Sequence, residues 1–291
     1  MAEEKKKIPA SLVKELRDRT GAGFMDAKKA LIEAGGDLDK AAEILRKMGV
    51  IKAEKKLSRE AKEGKVKVLL SPDRRRAAIV ELNCETDFVA RTDEFTKLLE
   101  EITKAVLEGN FSSVEEFLKA QGPDGDTWEN YIKSHIAKIG ENIKLRRFEV
   151  LEASEGAWFD YYIHAGDMLG VVVEAKGPQD EKAAEAVHNI ALQIAAMDPI
   201  AVRREDIPEE VLQKEREIYR EQALKSGKPE HIVDRIVEGK MKVFYEERVL
   251  LEQIYVKDQE ITVGEYLKRV SEELGEPLEI VRFVRYKVGE G

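Results

Sequence analysis

The chain has 291 residues, 43% hydrophobic and 37% charged, with a net charge of −9 and one cysteine, Cys84. That length predicts about two domains with real cores under a heavily solvated surface. The lone cysteine excludes an intrachain disulfide and a cysteine-based zinc site, and the acidic balance argues against broad non-specific nucleic-acid binding.

The N-terminal MAEEKKKIPASL lacks the apolar stretch of a signal peptide, and no run of about 18 apolar residues follows. A cytoplasmic protein with no membrane partner is expected. Residues 1–50 predict a small three-helix domain, more basic than the remainder. Pro9 suits a first helical position, and Leu12, Val13 and Leu16 form its stripe. Thr20-Gly21-Ala22-Gly23 breaks the chain, a second helix carries Met25, Ala27 and Leu31 inward, and Asp37 caps a third that ends at Gly49. Gly21 and Gly23 do not make a dinucleotide loop, because position 26 is Asp and the turn follows a helix. Residues 51–64 are a charged, part-helical linker.

The body is built twice. Thr127, Tyr131, Ile132, Lys133, Gly140, Glu141, Arg147 and Phe148 recur, 135 residues on, as Thr262, Tyr266, Leu267, Lys268, Gly275, Glu276, Arg282 and Phe283. Each copy reads as a Thr-capped helix, a Gly stop and a strand. Upstream, AAIVEL (77–82) matches GVVVEA (170–175), 93 residues on. Each matched strand follows another, KVKVLL or WFDYYIH, and precedes an apolar-striped helix. The expected class is α+β, with two duplicated core subdomains of three-stranded antiparallel sheets, at 65–152 and 153–291. About 42 extra residues in the second copy, near 205–250, predict an antiparallel helical hairpin. Val211, Ile218 and Leu224 line one helix; Ile232, Val233, Ile236, Val237, Met241 and Phe244 line the other. Such an arm cannot bury both faces alone and is expected to meet a partner.

The copies differ after the matched strand. The second turns simply, through Lys176-Gly177-Pro178. The first continues Asn83-Cys84-Glu85-Thr86-Asp87-Phe88-Val89-Ala90-Arg91. Phe and Val are unusual in a strand-to-helix turn. Phe88 either folds back into the core or stands exposed as a wedge for a partner. Cys84 reads as a small buried hydrophobe.

The segments from Thr20 to Leu31, Glu85 to Arg91 and Ala137 to Ile143, with Ser226 to Pro229, Val237 to Met241 and the ending from Arg282, run in order along nearly the whole chain. Together they resemble the bacterial elongation factor Ts family, guanine-nucleotide exchange factors for elongation factor Tu. The resemblance implies a ubiquitin-associated-like head, two core subdomains and the hairpin arm. It places Thr86, Asp87, Phe88 and Val89 at an intruding tip near the partner's Mg²⁺ site. It places Lys14, Arg17, Phe24 and Met25 on the head's contact surface, with Phe24 where many members have Met. His164 falls in a strand region that members use against the partner, although a lone His on a strand also serves as a structural residue. Implied partners are elongation factor Tu, GDP-bound and nucleotide-free, and a second copy of the chain. No cofactor, resident metal or direct nucleic-acid partner is implied.

The sequence holds no phosphate-binding lysine loop, no H-E-x-x-H and no G-x-S-x-G, and its four histidines, His135, His164, His188 and His231, have no ligand spacing. A protein without bond-making chemistry is expected. An adaptor using the head alone is the rival reading, and it leaves the duplicated body and the Phe88 turn unexplained.

Overall fold

The computed structural model describes residues 8–123, 125–164 and 166–290. The first seven residues of the expected head and Gly291 of the C-terminal segment lie outside the described residues. Two compact units emerge: one takes the chain up to Lys65 with Val80–Phe148, the other Val66–Ile79 with Glu149–Glu290.

In the first unit, helices α1 (Ala10–Thr20), α2 (Phe24–Glu33) and α3 (Leu38–Glu54) enclose Val13, Leu16, Ala27, Ala30, Leu31 and Ala41. Pro9 stands at the N-cap of α1, one residue before the expected position, and Gly21 ends it in the left-handed region at φ 66°. The Asp37 carboxylate accepts the Asp39 and Lys40 N–H groups at the start of α3.

Two expectations fail here. Met25 is 61% exposed rather than inward, and the inward positions of α2 are Ala27, Ala30 and Leu31. The third helix does not stop at Gly49. It runs to Glu54, because the bare Gly49 lies against Ala137, whose Cβ would sit 3.4 Å from an added one, and Ala53 is buried a turn later.

Strands β1 (Glu63–Leu70) and β2 (Arg76–Cys84) follow, then α4 (Asp87–Ala90), α5 (Asp93–Glu108), α6 (Val114–Lys119), α7 (Trp128–Ile139) and β3 (Ile143–Glu152). The sheet order is β1-β2-β3. Helix α5 buries Phe95, Leu98, Leu99, Ile102 and Val106, the stripe read from sequence. Short α6 was missed. It is built around Phe117, which stacks on Trp128 at 4.9 Å and meets Phe111 edge-on at 5.1 Å. Its sequence signal was present: Ser113 accepts the Glu116 N–H three residues on.

The second unit contains β4 (Ala157–Ile163), β5 (Leu169–Lys176), α8 (Glu181–Met197), α9 (Glu209–Lys225), α10 (Glu230–Arg248), β6 (Ile254–Tyr255), β7 (Asp258–Thr262), α11 (Val263–Leu274) and β8 (Glu279–Lys287). Its main sheet is antiparallel with order β4-β5-β8, so each copy places its second strand centrally. Strand β5 is buried on both faces, which explains an apolar run without alternation. Val171, Val173 and Ala175 pack with α8 and α11, while Val172 joins Val66, Ile79, Phe159 and Tyr286. The small β6-β7 ribbon was also missed.

Helices α9 and α10 make the hairpin, roughly 25–29 Å long at 1.5 Å per residue. Val233, Val237, Met241 and Phe244 are buried as expected. Val211, Ile218 and Leu224 are exposed instead. Helix α9 packs through Leu212, Tyr219 and Ala223, a stripe whose small residue lets the partner helix approach.

The copies share a buried ion pair. Glu81, fully buried, accepts from Arg147 Nε at 2.7 Å; Glu174, 1% exposed, accepts from Arg282 Nε at 2.5 Å. These are the acids and arginines that recur at offsets of 93 and 135 in the sequence. Among the described residues, no helix is long and apolar enough to cross a membrane.

Candidate functional site

The matched strands keep the 93-residue spacing through Cys84 and Gly177, but the helix caps Thr92 and Asp180 are 88 apart. The same 88 relates the core of α5 to that of α8, Phe95 to Ala183 and Val106 to Ile194. The first copy therefore holds five more residues between strand and helix. They are spent on the turn that carries Phe88.

This turn is one helical turn, α4, closed at both ends. Thr86 is extended (φ −129°) and its Oγ1 accepts the Val89 N–H at 3.3 Å. Thr92 Oγ1 donates to the Val89 carbonyl at 2.7 Å and caps α5 by accepting the Phe95 N–H. Ala90 is buried and anchors the inner side. Asp87 pairs with Arg91 at 3.0 Å on the outer side.

Phe88 stands at the crest, 79% exposed, the most exposed large apolar side chain among the described residues. Keeping a Phe in water forgoes about 1.5–3 kcal/mol of burial. Thr86, Asp87, Phe88 and Val89 are thus brought together on a single turn, and the choice left open by the sequence is decided for Phe88: it is not in the core.

The turn is held from a segment 55 residues away. Glu141 Oε1 accepts the Thr86 hydroxyl at 2.7 Å and Oε2 accepts the Thr86 N–H at 3.0 Å. The next residue answers in reverse: Asn142 N–H donates to Glu85 Oε1 at 2.7 Å. Buried Asn142 also donates through Nδ2 to the carbonyls of Leu57 (3.3 Å) and Arg59 (2.7 Å), and Lys56 Nζ donates to the Gly140 carbonyl at 2.6 Å. Gly140, at φ 93°, turns the chain from α7 into this clasp. Spacing gave no sign of these contacts, since partners so far apart meet only through the fold. Cys84, buried beside them, donates to the Thr86 carbonyl at 3.2 Å, and burial pushes its thiol up to about 12. Buried and bonded in this way, it serves as a packing residue.

On the head, Phe24 (47%) and Met25 (61%) are exposed on the first turn of α2. Lys14 and Arg17 are exposed on α1, and Arg17 Nε donates to the Ala22 carbonyl just before that turn at 3.4 Å. The Lys138 stem lies over Gly21, where an added Cβ would come within 2.8 Å of Cε. Lys138 Nζ donates to both oxygens of Glu94 at 2.9 Å and holds that carboxyl below its ordinary value. The segment from Lys138 to Asn142 therefore touches the head turn, the linker and the α4 turn. His164 is elsewhere, exposed after β4 in the second unit, with Nδ1 3.1 Å from the Tyr162 hydroxyl.

Comparison with known proteins gives one consistent answer. The family described as Elongation factor TS matches residues 85–290. The chain is 50% identical over 285 residues to an elongation factor Ts of Aquifex aeolicus (strain VF5), covering 95% of this chain and 96% of that protein. It is 46% identical over 286 residues to an elongation factor Ts of Clostridium perfringens (strain SM101 / Type A), covering 98% and 94%, and 45% identical over 289 residues to one of Nautilia profundicola, again covering 98% and 94%.

Proposed function

The chain belongs to the elongation factor Ts family of translation elongation factors, and from that membership we propose that it is the guanine-nucleotide exchange factor of elongation factor Tu. It binds the GDP form, disturbs the Mg²⁺ and phosphate site, and leaves the nucleotide-free partner ready for GTP. No bond is made or broken. The observation that carries this reading is Phe88, held at the crest of a capped turn with 79% of its surface in water.

A GTPase holds GDP through its phosphate loop and Mg²⁺. An apolar wedge that gains burial only when those elements part stabilises the opened state. One Phe supplies about 1.5–3 kcal/mol, roughly ten- to a hundredfold in an equilibrium constant. The remaining energy comes from other contacts: Lys14, Arg17, Phe24 and Met25 on the 1–50 head, the core that includes His164, and the hairpin arm near 205–250, whose Val211, Ile218 and Leu224 are exposed. Linkage makes the effect reciprocal, so the factor that weakens GDP is equally weakened by GDP and is released for another round.

The test is release of a fluorescent GDP analogue from elongation factor Tu into excess GDP, with substoichiometric wild-type protein or Phe88→Ala. Removing the ring slows stimulated release by about tenfold or more, with the thermal midpoint unchanged because Phe88 is 79% exposed. A folded Phe88→Ala protein that exchanges at the wild-type rate eliminates the wedge.

A further inference from the structure

We infer that Glu141 is a positioning residue for exchange, acting through Thr86 to hold the Phe88 turn; this rests on the wedge reading above. The turn needs holding. Helix α4 has four residues, and a helix that short has no stability of its own. Its N-terminal cap, Thr86, is placed by the Glu141 carboxylate, which takes the Thr86 N–H on one oxygen and its hydroxyl on the other at 3.0 and 2.7 Å. The hydroxyl keeps its lone pairs for the Val89 N–H.

Glu141 is itself on firm ground. It lies between Gly140, whose carbonyl receives Lys56, and Asn142, which is buried and bonded to Glu85, Leu57 and Arg59. The second copy supplies the contrast. Glu276 repeats Glu141, but it is exposed, and Pro277 replaces Asn142 and has no N–H to donate. The repeat provides a Glu after the Gly stop in both copies, and only the first turns it on a five-residue excursion.

Two variants separate positioning from charge. In Glu141→Ala both bonds are lost. In Glu141→Gln the amide oxygen accepts the Thr86 N–H and the amide nitrogen donates to Thr86 Oγ1, so the hold survives without the charge. The full-length protein is assayed on elongation factor Tu with the fluorescent GDP analogue, and amide hydrogen exchange is read at Val89, Ala90 and Arg91.

Glu141→Ala is expected to lower the maximal exchange rate roughly five- to tenfold. The concentration for half-maximal rate stays within about twofold, because docking surfaces away from the tip are untouched. Its Val89–Arg91 amides exchange faster. Glu141→Gln restores at least about half the rate and the amide protection. The double variant Phe88→Ala/Glu141→Ala is no slower than Phe88→Ala alone. If Glu141→Ala loosens the whole chain, Thr86→Val, which removes the hydroxyl's bonds to Glu141 and Val89 and keeps the Thr86 N–H on Glu141, is read the same way.

Wild-type rates in both Glu141→Ala and Thr86→Val overturn the inference while leaving the wedge standing. So does an equal further loss on the Phe88→Ala background, or a Glu141→Gln protein as slow as Glu141→Ala. If Phe88→Ala alone leaves exchange untouched, the wedge fails, and the positioning role fails with it.

Discussion

The two strand-to-helix turns, Cys84 to Thr92 in the first copy and Gly177 to Asp180 in the second, start from equivalent strand ends and solve the exit differently. The second closes backbone on backbone. Gly177 sits at φ 136°, an added Cβ would lie 2.5 Å from the Pro277 carbonyl oxygen, and the Gly177 N–H donates to the Gly156 carbonyl at 3.4 Å. The first closes through side chains: Glu85 and Thr86 reach Asn142 and Glu141, and the chain between them and Thr92 is free to rise. A backbone contact is short and leaves no length for an excursion. A carboxylate contact spans a gap and bears a protruding turn. The strand order and the buried Glu–Arg pair are kept in both copies, and this turn is one place where they diverge.

That equivalence can be broken first at the buried ion pairs, where the largest effects are expected. Arg147→Met leaves the fully buried Glu81 carboxylate with the Asn83 amide at 3.2 Å and the more distant Arg146 at 3.9 Å, and should cost about 3 kcal/mol of unfolding free energy, read by denaturant titration. Arg282→Met should cost less, about 2 kcal/mol, because Glu174 still accepts the Ser154 N–H and hydroxyl at 2.7 Å and Arg282 is half exposed. The second penalty has a pH signature. Burial pushes the Glu174 carboxyl up, but the bonds from Ser154 and Arg282 outweigh it and leave the folded value below the ordinary one. Its contribution is complete above the unfolded value, about 4.3, and is lost as pH falls through the lower folded value. The difference between wild type and Arg282→Met should therefore shrink below about pH 4.

The turns themselves come next. Gly177→Ala places a Cβ against a backbone oxygen that cannot give way, at a φ that L residues avoid, and should cost about 2 kcal/mol. Cys84→Ala, at the matching position, removes a buried sulfur and its bond to the Thr86 carbonyl and should cost about 1 kcal/mol. Equal costs would mean that the second turn is not locked by its backbone. A comparable loss, present in both copies, is expected at the helix caps: Thr127→Ala and Thr262→Ala each remove an N-cap and should lower stability by about 1 kcal/mol. The loss at Thr262 should be the larger, since Glu265 completes a capping box there.

Much of this architecture was written locally. Thr127 and Thr262 cap their helices, Gly140 and Gly275 stop them in the left-handed region, and the α5 stripe is buried residue for residue, because capping, positive φ and a 3.6-residue period act within a few positions of the chain. The duplication was legible for the same reason, and so was the oddity of Phe and Val in a turn. The local signals misled where a tertiary neighbour outvoted them. Gly49 reads as a stop, yet the close approach of α7 carries the helix past it. Val211, Ile218 and Leu224 read as a stripe, but α10 packs on Leu212, Tyr219 and Ala223.

The sequence by itself determined the α+β class, the repeated units, the inserted hairpin and the segments from which the family resemblance was drawn. All of these rest on interactions between near neighbours or on order along the chain. Only the tertiary structure decided that Phe88 faces water and that Glu141 and Asn142 clasp the turn beneath it. Whether a side chain is buried, and which acid meets which donor across 55 residues, depends on how separate elements pack, and no local pattern encodes that.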